Sequence, residues 1–128
     1  MPENKQKVLL VEDNYMNTVL VREILEMNGY EMVEAGTGAE AIRLIATEKP
    51  DLVLMDIHLP GMDGVTATRI IKSEERYRSI PVLALTASAS KNDEEEILSK
   101  GFDGYVTKPI NVKSLLEAME NFLKKGDL

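Results

Sequence analysis

Residues 52–64, LVLMDIHLPGMDG, join a fully apolar run to a single carboxylate, Asp56, and then to a turn that contains Pro60, Gly61 and Gly64. An apolar run of this kind predicts a strand that is covered on both faces, as in a parallel sheet. Such a strand gains nothing from a charge, because an unpaired charge is costly to bury. The carboxylate at its end therefore indicates a functional site.

Strand-like and helix-like segments alternate along the whole chain. Strands are predicted at residues 8–11, 31–34, 52–55, 82–85 and 104–106. Helices are predicted at residues 16–28, 39–48, 65–75, 93–100 and 113–124. The second and fifth strands are the more polar ones, which is typical of the edges of a sheet. This order predicts an α/β fold with a mainly parallel sheet.

Length and composition narrow the class of protein. A chain of 128 residues predicts one domain, and the absence of cysteine excludes disulfides and thiolate chemistry. The first residues lack the apolar stretch of a signal peptide, and no run is long enough for a membrane helix. A net charge of −7 argues against a nucleic-acid surface, which needs clustered Lys and Arg. We expect a soluble cytoplasmic protein that binds neither membrane nor nucleic acid.

The predicted strands end in polar residues that can carry chemistry. They are Glu12 and Asp13 after the first strand, Asp56 after the third, Thr86 after the fourth and Lys108 after the fifth. The functional residues of an open parallel sheet lie at the carboxyl ends of its strands. Each residue alone has a simpler explanation, such as a helix cap for an Asp or a solvated side chain for a Lys. Their coincidence at one edge favours a site.

The three carboxylates predict a cation. Carboxylates that crowd together repel, and one of them takes up a proton unless a cation is present. Mg²⁺ suits such a set, because it binds oxygen ligands and keeps several waters. The charges then balance, since three negative groups meet two positive charges from Mg²⁺ and one from Lys108.

The segments VLLVEDN, LVLMDIHLPGMDG, VLALTA and YVTKPI resemble the signatures of the response-regulator receiver domain of two-component signalling. The resemblance covers essentially residues 1–128 as one receiver domain, similar to DivK-type single-domain cell-cycle regulators and to the receivers of hybrid histidine kinases. It implies a flavodoxin-like (βα)5 three-layer sandwich with a parallel sheet in order 2-1-3-4-5. It also implies a phosphoprotein of signal transduction that is not an enzyme.

The resemblance assigns the metal and phosphate chemistry. It implies that Asp56 is the phosphoacceptor and that Asp13 is a direct ligand of Mg²⁺, for which Mn²⁺ can substitute. Glu12 is expected to act through metal-bound water, and the backbone carbonyl of His58 is expected to complete the ligands. The phosphoryl donor would be a sensor histidine kinase or a histidine phosphotransfer protein, in a phosphorelay.

The resemblance also implies a switch and its output. Lys108 is expected to pair with Asp56 or with the phosphoryl group, and Thr86 to hydrogen-bond that group. Tyr105 is expected to turn inward when Thr86 moves. A cis peptide bond is expected before Pro109, since such bonds are essentially confined to proline. Without an effector domain, the signal would pass to a downstream protein through altered contacts.

The first predicted helix adds a candidate docking surface. Its core stripe is predicted to consist of Leu20, Val21, Ile24 and Leu25. Three apolar residues lie off that stripe, and we expect them beside the acidic pocket: Met16, Val19 and Met27. They indicate either scattered surface residues, which are common, or a surface where a kinase or phosphotransfer helix docks.

Several alternatives remain at this point. A receiver excised from a hybrid histidine kinase would act as a phosphorelay intermediate. Three other classes fit the sequence less well. A phosphatase of the haloacid-dehalogenase type needs an Asp where His58 stands, and an FMN carrier needs a phosphate-binding loop after the first strand. The intact set of Asp56, Thr86 and Lys108 argues against a pseudo-receiver, which only binds partners.

Two residues predict the lifetime of the phosphoryl group. By the resemblance, His58 and Ser88 occupy the positions that usually tune receiver dephosphorylation. Neither side chain orients water well, which predicts a long-lived phosphoryl group.

Overall fold

The computed structural model describes residues 5–59, 61–87 and 90–123. Strands and helices alternate from β1 to α5, as the sequence predicts. In chain order the elements are β1 (Lys7–Val11), α1 (Tyr15–Met27), β2 (Glu31–Ala35), α2 (Gly38–Glu48), β3 (Leu52–Asp56), α3 (Gly64–Ser73), β4 (Val82–Thr86), α4 (Lys91–Ser99), β5 (Gly104–Thr107) and α5 (Val112–Glu120).

The strands form one parallel sheet in the order β2-β1-β3-β4-β5. This is the flavodoxin-like order, and it confirms the predicted fold class. Strands β3 and β4 are buried along their whole length, whereas β2 and β5 carry the more exposed positions of edge strands. The strands that are most apolar in the sequence are thus the most deeply buried in the structure.

Two hydrophobic layers cover the sheet because successive residues of a strand point to opposite faces. On one face Leu10 and Leu54 pack with the apolar residues of α1 and α5. On the other face Leu9 and Val53 pack with those of α2, α3 and α4. The result is a three-layer sandwich in which all the crossover helices lie against the sheet. No helix in the described ranges is long and apolar enough to span a bilayer.

Side-chain caps fix where the helices begin. The side chains of five residues accept a hydrogen bond from a backbone N–H in the first turn, and these residues are Asn14, Thr37, Asp63, Ser90 and Asn111. Each helix therefore starts one or two residues before its predicted start. The last helix ends at Glu120 rather than at residue 124, which lies outside the described residues.

The predicted core stripe of α1 is wrong at one position. Leu20 is 37 % exposed, and Thr18 is buried on the inner face instead. Thr18 shares a face with Val21 and Leu25, whereas Leu20 lies about 200° around the helix from Thr18. The Thr18 hydroxyl donates to the carbonyl oxygen of Asn14 at 3.1 Å, which satisfies the buried polar group.

Candidate functional site

The carboxyl ends of the strands bring the predicted polar residues together. One oxygen from each of Glu12, Asp13 and Asp56 lies within 4.8 Å of the others. In the sheet Asp56 pairs with Leu85, so Thr86 stands one residue beyond it on the neighbouring strand. The three carboxylates and Thr86 therefore lie together at the carboxyl ends of the strands, as the strand-end pattern predicts.

Asp56 is the last residue of β3 and only 4 % exposed. Both oxygens of its carboxylate have a hydrogen-bond donor. The backbone N–H of His58 donates to Oδ1 at 3.0 Å, and the ammonium of Lys108 donates to Oδ2 at 3.2 Å. The buried Asp56 carboxylate is thus held in a fixed orientation at the carboxyl end of β3.

Lys108 links the end of β5 to the acidic residues. Its Nζ lies 3.2 Å from Oδ2 of Asp56 and 3.5 Å from Oε1 of Glu12. Its backbone N–H donates to the carbonyl oxygen of Thr86 at 2.8 Å. The peptide bond between Lys108 and Pro109 is cis. One ammonium therefore faces two of the three carboxylates.

Glu12 is the most deeply buried of the carboxylates, with 1 % of its side chain exposed. Its Oε2 accepts hydrogen bonds from the backbone N–H of Asn14 at 3.2 Å and from the side-chain amide of Asn17 at 3.3 Å. Within the described ranges its Oε1 is buried without a hydrogen-bond partner. Oε2 thus accepts two hydrogen bonds, whereas Oε1 faces the Lys108 ammonium in the pocket.

Burial raises the pKa of the Glu12 carboxyl above its usual range, and the charge of Asp56 raises it further. The Lys108 ammonium and the two N–H donors to Oε2 act in the opposite direction. A divalent cation would relieve this repulsion. The donor set fits Mg²⁺, because all of its groups are oxygens and Asp13 is open to solvent, which leaves room for the waters that Mg²⁺ retains.

Tyr105 makes a contact that the sequence does not reveal. It is half-buried on β5, paired with Ala84 of β4, and its hydroxyl donates to Oε2 of Glu94 at 2.5 Å. This hydrogen bond joins β5 to the first turn of α4. It also raises the pKa of the Tyr105 hydroxyl, with smaller contributions from burial and from the charge of Glu94.

The apolar residues of α1 divide into two groups. Tyr15 and Met16 are 76 % and 71 % exposed in the first turn, immediately after the acidic residues. Met27 is 85 % exposed, but it is the last residue of the helix. A helix rises about 1.5 Å per residue, so Met27 lies roughly 16 Å from Met16 along the axis and not beside the pocket, contrary to the prediction.

The family model for the response regulator receiver domain matches residues 8–120. The chain therefore belongs to the response regulator receiver family, a class of signalling module. It is 42 % identical over 118 residues to the polar-differentiation response regulator DivK of Brucella ovis, covering 92 % of this chain and 96 % of the relative. The same identity and coverage hold for DivK of Brucella suis.

Solved structures show the same fold. The receiver domain of the sensor histidine kinase PA1611 from Pseudomonas aeruginosa, which has a magnesium ion in its active-site cleft, matches with a TM-score of 0.86 at 34 % identity. That match covers 95 % of this chain and all of the other. The chemotaxis protein CheY4 of Vibrio cholerae matches with a TM-score of 0.87 at 28 % identity, covering 94 % of this chain and all of the other.

Proposed function

We propose that this chain is a response regulator that accepts a phosphoryl group on Asp56. The observation that carries the proposal is the position of this carboxylate. It is buried at the end of a central strand, donors hold both of its oxygens, and Glu12 and Asp13 lie beside it. A rigid strand end keeps a nucleophile in one orientation, which favours in-line attack.

The proposed reaction is a phosphoryl transfer from a phosphohistidine. An oxygen of the Asp56 carboxylate attacks the phosphorus, a P–O bond forms and the P–N bond breaks. The electron pair of the broken bond stays on the imidazole nitrogen that carried the phosphorus. A proton already on the other ring nitrogen, or one taken from water, leaves the imidazole neutral. The product is an acyl phosphate on Asp56. The Lys108 ammonium, already beside Asp56, is placed to contact a phosphoryl oxygen.

We propose Mg²⁺ as the cofactor, with Mn²⁺ able to replace it. Asp13, Asp56 and the backbone carbonyl of His58 would hold the ion, and Glu12 would contribute through metal-bound water. When bound, the ion supplies positive charge that offsets the charge on the transferring phosphoryl oxygens. Two observations support this assignment: the clustered carboxylate oxygens, and the buried Oε1 of Glu12, which has no hydrogen bond within the described ranges and only the ion pair with Lys108.

The phosphoryl group would then change the surface of the domain. It adds about −1.5 to −2 charges and three strong acceptors. Thr86 and Lys108 are the proposed donors to it, and Tyr105 is the proposed second member of the switch. Allosteric coupling of this kind is typically about 1–3 kcal/mol, so phosphorylation shifts an existing equilibrium. A downstream protein would read the altered surface.

We propose a sensor histidine kinase or a histidine phosphotransfer protein as the phosphoryl donor. Such a partner has to approach Asp56 closely, and the first turn of α1 is the neighbouring surface. The exposed side chains of Tyr15 and Met16 support docking there. We also propose a location in the cytoplasm.

We further propose that residues 1–128 act as a single-domain regulator. The alternative is a receiver excised from a hybrid histidine kinase that serves as a phosphorelay intermediate. The DivK relatives favour the first assignment, because the match covers 96 % of their length. The similarity to the receiver of PA1611 supports the same receiver chemistry in both cases.

Treatment with acetyl phosphate and Mg²⁺ tests the phosphoacceptor. Mass spectrometry should show one added phosphoryl group, which hydroxylamine removes and which is absent from Asp56→Asn. Acyl phosphates react with hydroxylamine, whereas phosphate esters of Ser and Thr resist it. A stable phosphate on Ser or Thr would therefore contradict the proposal.

A titration with Mg²⁺, followed by amide chemical shifts, tests the metal site. Asp13→Ala should abolish the shifts at the pocket, because it removes a direct ligand. Glu26→Ala removes the same charge from an exposed position on α1 and should leave the titration unchanged. Binding that persists in Asp13→Ala would overturn the metal assignment.

A further inference from the structure

We propose that Asn17 is a positioning residue that fixes the Glu12 carboxylate with Oε1 directed to the metal pocket. The proposal rests on the proposed function, because the pocket is the proposed Mg²⁺ site. Asn17 itself is outside the set of strand-end residues that define that site. It is the third residue of α1 and acts from the helix.

Two donors at the start of α1 form hydrogen bonds to the same oxygen of Glu12, Oε2. The side-chain amide of Asn17 donates to Oε2 at 3.3 Å, and the backbone N–H of Asn14 donates to the same oxygen at 3.2 Å. The backbone N–H of Asn17 donates in turn to Oδ1 of Asn14 at 2.9 Å. The helix cap and the acidic residue are therefore parts of one hydrogen-bond network.

This network makes the two oxygens of Glu12 inequivalent. Oε2 has two donors, while Oε1 is buried without a hydrogen bond in the described part of the chain and lies 3.5 Å from Nζ of Lys108. A carboxylate with one remaining donor can rotate and exchange its oxygens, whereas two donors on one oxygen oppose that rotation. The Asn17 amide therefore keeps Oε1 directed toward Lys108 and the other carboxylates.

The residue type at position 17 follows from this geometry. The position needs a donor, since Oε2 of Glu12 is an acceptor, and the donor has to be uncharged if the charge balance of the pocket is to be kept. A short primary amide meets both requirements and still lets the backbone N–H of Asn17 bond to the cap. Alanine at this position would keep the helix and lose the donor.

The variant Asn17→Ala tests the proposal through the affinity for Mg²⁺. Loss of a hydrogen bond that orients a carboxylate of the metal site predicts a Kd for Mg²⁺ that is about ten- to hundredfold higher, with Asp13 and Asp56 intact. The matched control is Asn28→Ala, which removes an amide at the far end of α1, outside this network, where it donates to the carbonyl oxygen of Ile24.

A measurement without metal tests the same contact directly. In EDTA, the carbon-13 resonance of the Glu12 carboxyl carbon should shift in Asn17→Ala and should stay in place in Asn28→Ala. Unchanged Mg²⁺ affinity in Asn17→Ala, or equal weakening in Asn28→Ala, would overturn the positioning role. If the wild-type chain bound no Mg²⁺ at all, the proposed function would fail instead, and the metal-free spectra would still decide the Asn17–Glu12 contact.

Discussion

Gly64 packs directly on the backbone of Asp56, so that a Cβ added at Gly64 would lie 2.2 Å from the carbonyl oxygen of Asp56. The contact joins the start of α3 to the end of β3, and the N–H of Gly64 also donates to the carbonyl oxygen of Ile57 at 3.0 Å. Because the clash is with backbone, a side chain at position 64 would have to displace the strand end that carries the proposed phosphoacceptor.

Gly64→Ala should therefore both destabilise the fold and impair phosphorylation. Overpacking of this kind typically costs about 1–3 kcal/mol of unfolding free energy. Urea unfolding measures the loss of stability, and the rate of modification by acetyl phosphate measures the effect on Asp56. The matched control is Gly36→Ala, where an added Cβ would meet no atom within 4 Å. Equal behaviour of the two variants would contradict the role of this contact.

Glu12 predicts a pH dependence of stability in the metal-free protein. Its ordinary pKa is 4.5, and burial raises the pKa in the folded state. The native carboxyl thus holds its proton more tightly than the unfolded one, so its contribution to stability is full below pH 4.5 and is lost as the pH rises through the folded-state pKa. Glu12→Gln, which stays neutral, should gain stability relative to wild type as the pH rises.

Urea unfolding in EDTA across this pH range measures the difference between the two proteins. Mg²⁺ should reduce the difference, because a bound cation would stabilise the charged carboxylate of the wild type. The control is Glu26→Gln on the exposed side of α1, which should follow the wild-type pH profile. A constant difference between Glu12→Gln and wild type would contradict the raised pKa.

The hydrogen bond between Tyr105 and Glu94 predicts a spectroscopic change in a single substitution. Glu94→Gln should lower the pKa of the Tyr105 hydroxyl toward its ordinary value of 10.0, because the charged acceptor that holds the proton is removed. Carbon-13 spectra of labelled tyrosine rings, recorded against pH, measure this pKa. Glu95→Gln changes the next, exposed residue of the same helix and should leave Tyr105 unaffected.

His58 predicts a long-lived phosphoryl group. Its side chain is exposed beside Asp56, where it is bulky enough to hinder an approaching water and is poorly suited to orient one. Ser88, the second tuning position, lies outside the described residues. We expect decay slower than in fast chemotaxis-type receivers, and faster decay in His58→Asn combined with Ser88→Glu. Decay of the wild-type protein within seconds would contradict the prediction.

The comparison of His58→Ala with that double variant separates two causes. If bulk alone slows the reaction, His58→Ala should accelerate decay as well. If orientation of water is limiting, only His58→Asn combined with Ser88→Glu should accelerate decay. The measurement is the Mg²⁺-dependent loss of phosphorylated protein by mass spectrometry.

The fold and the clustering of the strand-end residues could be predicted because both depend on patterns along the chain. Apolar runs such as 52–55 identify buried strands, and the polar residue after each strand is brought to one edge by parallel pairing. Asp56 and Lys108 are separated by 52 positions, yet the order of strands alone places them together. Strand ends in a parallel sheet are fixed by topology, and topology follows from the alternation of elements.

Contacts between side chains of different elements could not be predicted in the same way. The Asn17–Glu12 and Glu94–Tyr105 hydrogen bonds depend on how a helix is rotated against a strand end. The predicted core stripe of α1 includes Leu20, which is exposed, and does not include Thr18, which is buried. Hydrophobicity locates the inner face of a helix, but a hydroxyl that donates to a carbonyl oxygen of the preceding turn, as in Thr18, can occupy that face too.

The order of the strands makes the site a late product of folding. Glu12 follows β1 and Lys108 follows β5, and their approach to 3.5 Å requires that β3 and β4 pair between those two strands. Parallel pairing of this kind has a high contact order and is slow to form. A nascent chain still lacking β5 would carry Asp56 without its lysine, so phosphotransfer that depends on both residues would be restricted to molecules in which β5 has been synthesised and has paired with β4.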